Sequence, residues 1–421
     1  MRKKIIIMIV LLILLIINFG SNIFGEKDTV IGFFYTFETY QYDSEYLVFS
    51  KIVQEKYYNQ NSPYGLAIVN DKQGNTIKNI WDKIANYDSS EDELEILEYK
   101  SQVGLHGHIF SFLYNKLHIP FWVLKLICCT LLGIITLGIC YCIYKKYNKL
   151  MAVIFYITFL LSPWVVAFAR NLYWVEFTWF LPALFGILLS LDCSKWKIYT
   201  PCIFIAILVK CLCGYEYITT IMLMTIAFFI IDFFVTKDKT ERIKIFKTTF
   251  IVGIACLLAF ATALFIHASI RGEGNILEGI EKIYKEDVLR RTIMASEDVQ
   301  FPEEYKKSLE ATVSETIDRY FSWHTDIILG INGKYFRLIF GVTLAIIIYN
   351  LLTKNKDSYR DLTMFLVFFV TTMSWFVLGK AHSFIHTHMN YVLWYFGYVQ
   401  ISIYIIIKFI CEKISKIEKI I

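Results

Sequence analysis

No basic stripe with interleaved aromatics occurs in the 421-residue chain, which argues against a nucleic-acid partner. No cysteine lies inside either long hydrophilic segment, at roughly 25–119 and 271–336, so a secreted disulfide framework is not expected. The ten cysteines fall in or beside hydrophobic runs. The Cys-x-Cys pairs at 140/142 and 211/213 read as small core residues rather than metal ligands. No A-x-A-like cleavage site follows the run from Ile5 to Phe19, although Met1-Arg2-Lys3-Lys4 ahead of it resembles the start of a signal peptide. A retained signal anchor is the expectation. No inverted repeat of the kind many transporters carry is visible.

What is abundant is apolar surface. Hydrophobic residues make up 56% of the chain, above the roughly 45–50% of soluble domains. They concentrate in runs close to the length a helix needs to cross a bilayer. The periodicity predicts an all-α membrane protein of about ten transmembrane helices (range 9–12), at 5–24, 120–144, 150–169, 172–191, 198–213, 217–235, 249–270, 337–352, 362–379 and 391–409. The formal net charge of +5 reflects Lys/Arg clusters in alternate connections, such as Lys145, Lys146 and Lys149 or Lys237, Lys239, Arg242, Lys244 and Lys247. The positive-inside rule then puts both termini in the cytoplasm and both long loops outside a plasma membrane.

Those loops carry helical patterns. Tyr46, Phe49, Val53 and Tyr57 form an apolar stripe within 43–58, which predicts an interfacial helix lying on the bilayer. Segment 107–117 is a second candidate. In the other loop, 275–291 and 303–320 look helical, with Pro302 starting the latter.

The polar chemistry gathers on the outer side. All eight histidines fall there: His106, His108, His118, His267, His324, His382, His386 and His388. Glu176 lies about five residues into the fourth predicted span, roughly 7–8 Å deep at about 1.5 Å per residue. A carboxylate at that depth faces either a partner, here Arg170, or a functional cavity. Lys210 and Glu216 flank the outer turn between the fifth and sixth spans. Lys125, near another outer end, reads as a snorkelling side chain. Asp43 and Glu45 open the first loop helix, where an acidic residue serves as an N-cap or as a general base. For Lys380-Ala-His382-Ser-Phe-Ile-His386-Thr-His388-Met-Asn390 three readings stand. They are a metal site on His382, His386 and His388, an oxyanion site on Lys380, the histidines and Asn390, and an interfacial loop.

The layout resembles the GT-C class of polytopic glycosyltransferases, which includes the protein O-mannosyltransferases and the aminoarabinose transferases of lipid A. The matching pieces are a first span, then an outer loop opening on Tyr42-Asp43-Ser44-Glu45-Tyr46. The loop returns through Tyr99 to His108, and Ser162-Pro163-Trp164 leads on to Arg170-Asn171-Leu172-Tyr173-Trp174-Val175-Glu176. The class's adjacent Asp-Glu pair is split here by Ser44. The likeness covers roughly 1–270, a GT-C-like module. Beyond it lie the helical second loop at 271–336 and the C-terminal helices at 337–421, whose His-rich connection is similar to the His-Asn segment of O-antigen ligases and polymerases.

The resemblance implies a glycosyltransferase. It moves a sugar from a polyprenyl-phosphate donor to an extracytoplasmic acceptor by an inverting single displacement. Asp43 or Glu45 is then the base. Arg170, Glu176, Lys210, His106, His108, Lys380, His382, His386, His388 and Asn390 are the candidates for binding donor phosphate or sugar, the last five lying in a segment that is not a general feature of the class. No cofactor is required, and a divalent cation is an optional addition. The other readings are an O-antigen ligase- or polymerase-like transferase, and a transporter or flippase of a lipid-linked or cell-surface polysaccharide. The last predicts polar residues through the midplane of several spans, whereas these spans are polar mainly at their outer ends.

Overall fold

The computed structural model describes residues 2–26, 30–31, 35–71, 74, 76, 94–289, 303–323 and 325–417. Side chains of 2, 30–31, 35–43, 303–306 and 416–417 lie outside that description. The chain runs α1 (Arg2–Ser21), a hairpin of β1 (Val30–Ile31) and β2 (Tyr35–Thr36), then α2 (Phe37–Tyr57). An antiparallel pair follows, β3 (Ala67–Asn70) with β4 (Glu95–Glu98), in a register that sets Ala67 opposite Glu98. After it come α3 (Leu105–Asn115), α4 (Phe121–Lys146), α5 (Lys149–Leu161), α6 (Pro163–Ala169), α7 (Phe177–Leu191), α8 (Trp196–Cys213), α9 (Ile218–Val235), α10 (Lys239–Arg271) and α11 (Ile276–Ile283). The second loop continues with α12 (Glu303–Glu310), α13 (Val313–Ser322) and the small pair β5 (Asp326–Ile328) and β6 (Ile331–Asn332). The last helices are α14 (Phe336–Leu352), α15 (Ser358–Leu378), α16 (Lys380–Ile385), α17 (Thr387–Asn390) and α18 (Tyr398–Ile417).

Among the described residues, seven helices are long and apolar enough to cross a membrane, or nine if each of two bent pairs is one span. The protein is an integral membrane protein of almost wholly helical structure. With the bent pairs counted the total is nine, inside the expected range of 9–12, and three of the ten expected spans are altered. Span 150–169 is broken by 64° between α5 and α6, because Pro163 at the first turn of α6 brings no N–H and Ser162 caps Val165 N at 3.1 Å instead. Span 391–409 is bent by 49° ahead of α18. Span 172–191 is α7 alone. Its 15 residues reach about 22 Å at 1.5 Å per residue, short of the roughly 30 Å hydrocarbon core.

The first-loop helix departs from the expected one as well. It begins at Phe37, so Asp43 stands inside α2 and is not its N-cap. Nor does α2 lie as a surface helix. Leu47, Val48, Phe49, Ile52 and Val53 are all buried in the core shared with the bundle. The expected stripe was too narrow, because Ser50, Lys51 and Gln54 are buried too. Lys51 Nζ reaches Gln54 Oε1 at 3.2 Å and Glu55 Oε1 at 3.1 Å. In the second loop, the expected 303–320 helix is two helices. Thr312 starts α13 with a capping box to Glu315. Pro302 and His324 lie outside the described residues.

Alternating helix directions leave two unlike ends. One end holds Lys146 paired with Asp232 at 2.5 Å, and Lys408 paired with Asp361 at 2.9 Å and Asp357 at 3.2 Å. The opposite end holds α2, α3, α11–α13, α16 and α17, and with them every described histidine.

Candidate functional site

The site grows from a close approach of backbones. Gly104 takes a left-handed φ of 74° just before α3, and Gly65 N donates to Val103 O at 2.8 Å. A Cβ on Gly107 would stand 1.7 Å from the Gly65 carbonyl oxygen, so only glycine lets α3 seat here. That seat buries His106 against Tyr173, with ring centroids 5.9 Å apart. Both imidazole nitrogens of His106 lack a hydrogen-bond partner among the described residues. Burial, and after it the charges of Lys210 and His108, push the His106 pKa down to about 3, so the ring is neutral.

Glu45 ties α2 to the same region. Its Oε2 accepts from Lys125 Nζ of α4 at 2.8 Å, and its Oε1 accepts from Leu172 N at 2.8 Å. Beside it, Asn171 Nδ2 donates to Ser44 Oγ at 3.2 Å, while Asn171 Oδ1 accepts from Tyr173 N and Trp174 N. Lys125 is therefore an ion-pair partner, not the snorkelling side chain expected. Both oxygens of Glu45 are engaged in holding α2, α4 and the turn after α6 together, and the Asp43 side chain lies outside the described set.

Glu176 ends that turn. It is fully buried, yet neither carboxylate oxygen has a hydrogen-bond partner among the described residues. The expected pair with Arg170 does not form. Arg170 caps α6 and is half-buried, while both side chains lie near Cys129 on α4. The intervening backbone is strained, since Val175 holds φ at 40° and a β-branched residue there is a true outlier. Tyr217, next to Glu216, is held at φ 64°. Two strained turns thus flank the two carboxylates.

Lys210 is 2% exposed, and its ammonium donates to Gly214 O at 2.7 Å. A Cβ on Gly214 would stand 2.4 Å from Glu216 Oε2 and 2.7 Å from Gln102 Oε1. Gln102 was missed from the sequence. A neutral amide among loop residues gives no signal until α3 is seated. The aromatic lining was missed too, although the run Tyr173-Trp174-Val-Glu-Phe-Thr-Trp179 is dense enough to have suggested it. Trp174 stacks on Tyr217 at 6.1 Å, and Trp179 meets Tyr217 edge-on at 5.0 Å.

The His-rich segment forms a second cluster. His382 and His386 are 4.7 Å apart and His386 and His388 5.7 Å apart, centroid to centroid. No group of three His, Cys, Asp or Glu among the described residues is placed to hold a metal ion, so the metal reading of this trio is corrected. Its rings pack against one another. The interfacial-loop reading is corrected as well, because α16 and α17 bury Ser383, Thr387, His388 and Asn390. Lys380 Nζ donates to Leu309 O at 2.8 Å, and Asn390 Nδ2 to Ser383 Oγ at 3.3 Å. Both of these groups therefore hold the segment to its surroundings. His108 stands apart, with Nε2 3.2 Å from Pro63 O and Nδ1 3.9 Å from Glu55.

Between the two clusters stands Trp375. They are joined ring by ring, because Trp375 lies 5.8 Å from Tyr217 and 5.9 Å from His382. The sequence candidates therefore form one layer at one end of the bundle, with Glu45, His106, Arg170, Glu176 and Lys210 together and Lys380 to Asn390 beyond the tryptophan. No family model matches the chain, and neither does any curated protein or solved structure.

Proposed function

We propose that the protein is a membrane glycosyltransferase, working outside the membrane on a polyprenyl-phosphate sugar. The observation that carries this reading is Glu176, a fully buried carboxylate with no hydrogen-bond partner among the described residues, at a strained turn that Glu45 holds against the loop helix. A buried carboxyl group without a hydrogen-bond partner costs about 1–3 kcal/mol, and strain of this kind concentrates where chemistry occurs. Cations stand in the same layer. A lipid carrier holds its headgroup at the bilayer surface, the level such a layer occupies.

In this mechanism an acceptor hydroxyl attacks the anomeric carbon and the carbon–oxygen bond to phosphate breaks. The phosphate leaves with the bonding electrons, and the hydroxyl proton passes to a carboxylate, with inversion at carbon. Arg170 and Lys210 stabilise the departing phosphate. With both Glu45 oxygens engaged, Glu176 and Asp43 are the carboxylates for the proton, and the neutral His106 orients a sugar hydroxyl. Transfer of labelled sugar from polyprenyl phosphate in membranes tests this, comparing Glu176→Gln, Asp43→Asn and Arg170→Ala. Glu176→Gln should lose about 10²–10⁴-fold of the rate, the usual worth of a general base. Full activity in all three variants would refute the assignment.

A further inference from the structure

α10 is 33 residues long, about 50 Å at 1.5 Å per residue, well beyond the roughly 30 Å hydrocarbon core of a bilayer. One of its faces marks where that core lies. Phe246, Phe250, Ile254, Leu257 and Phe265 are exposed along a single stripe at helical spacing. Ile245, Thr248 and Val252, on the opposite side, are buried against the bundle. From Phe246 to Phe265 the stripe runs about 30 Å, the thickness of the core. The same stripe continues past Phe246 with Arg242 and Lys239, about 6 and 10 Å farther on, which is the headgroup layer. Lys247 stands at the boundary, where its ammonium snorkels to that layer. The start of α8 lies alongside. Cys193, in the turn before it, is hydrogen-bonded to Thr248 of α10, and Trp196, Lys197 and Ile198 are exposed there.

We infer that this end of α10, with the start of α8, binds an anionic phospholipid in the leaflet opposite the histidine layer. Charge argues for the headgroup. Among the described residues no carboxylate lies within 4.0 Å of Lys197, Lys237, Lys239, Arg242 or Lys247. The neighbouring pairs, Lys195 with Asp192 and Lys244 with Glu241, cancel one another, and Asp238 is occupied as the α10 cap. Arg242 is fixed in place, since its Nε and Nη2 donate to Thr236 O at 3.0 and 2.5 Å and its guanidinium lies 5.9 Å over the Phe233 ring. Its remaining N–H donors and its charge are left for a phosphodiester. Four to eight basic residues beside a span attract anionic lipid in this way. The apolar stripe argues for a lipid over a free anion, a nucleic acid or an acidic protein. Phe246 and Phe250 continue directly from the cations into the core, where acyl chains lie against them, and Trp196 sits at the interface level that tryptophan favours.

Lipid titration of the full chain tests the inference. Short-chain phosphatidylglycerol is added to the protein in a non-ionic detergent and bound lipid is counted by native mass spectrometry. Phosphatidylcholine of the same chain length and inorganic phosphate are run alongside. Wild type should bind phosphatidylglycerol about tenfold or more tightly than phosphatidylcholine, and phosphate should not displace it. Lys239→Gln, Arg242→Gln and Lys247→Gln combined should abolish the preference. Lys239→Gln with Lys247→Gln leaves the Arg242 bonds to Thr236 intact and should reduce it severalfold, whereas Lys239→Arg with Lys247→Arg should keep it. All three side chains are exposed, and melting curves without lipid check that each variant is folded. Equal binding of the two lipids by wild type, an unchanged preference in either folded Gln variant, or displacement by phosphate would overturn the inference. No sugar donor or acceptor is present, so the outcome is independent of the transferase reading.

Discussion

Replacing Glu45 by Ala removes two acceptors at once, and the cost follows from the geometry. Leu172 N loses its 2.8 Å partner in a buried turn, which leaves an unsatisfied donor worth about 1–3 kcal/mol. Lys125 loses a carboxylate at 2.8 Å, but its side chain is 28% exposed and can recover water, so that part is about 1 kcal/mol. The total is roughly 2–4 kcal/mol. Glu45→Gln keeps an oxygen for Leu172 and gives up only the charge, so it should cost the smaller share. Thermal unfolding in detergent measures the order: wild type most stable, Gln intermediate, Ala lowest. Hydrogen exchange at the Leu172 amide adds a local reading, fast in Ala and protected in Gln. An Ala variant as stable as wild type would refute the latch. So would a Gln variant that melts normally yet loses all transfer, because Glu45 would then be the base.

Gly107→Ala should prevent α3 from seating, since its Cβ would fall 1.7 Å from the Gly65 oxygen; low yield or a melting point reduced by many degrees is expected, and a normal melt would show that the 63–66 turn moves freely. His106 titrates near 3 when folded, below the roughly 6.5 of an unfolded histidine. The unfolded chain therefore binds the extra proton between those values, and stability present above about 6.5 falls by up to about 1.4 kcal/mol per pH unit as pH drops toward 3. His106→Phe should flatten that slope in melts run from pH 7 to pH 4, and an unchanged slope would remove His106 as its source. Zinc or a chelator should leave the melting temperature unchanged, because the three C-terminal histidines share no metal geometry; a zinc-dependent rise abolished by His386→Ala would contradict this.

Much of the frame was legible because it is one-dimensional. Apolar run length found the seven helices long enough to cross a membrane, and helix direction then carried the described histidines to one end. What escaped the sequence depends on tertiary contact. The Ser162-Pro163 step was visible, but its bend was not. Val175 gives no sign of a left-handed turn, so α7 was read as a full span. Arg170 and Glu176 looked like a pair from spacing alone, and the strained turn separates them. Lys125 looked like a lipid-facing lysine because its partner, Glu45, lies eighty residues away. Among the histidines, spacing at i, i+4 brought His382 and His386 together as rings without giving them a common ligand point.

In the proposed function Glu176 serves glycosyl transfer at the histidine-bearing end, on the outer surface. Right-side-out and inverted vesicles supplied with polyprenyl-phosphate-linked labelled sugar and a membrane-impermeant acceptor measure it directly. Incorporation is expected in right-side-out vesicles only, with its loss in Glu176→Gln protein that melts like wild type. Incorporation that survives Glu176→Gln, or that appears only in inverted vesicles, would contradict it.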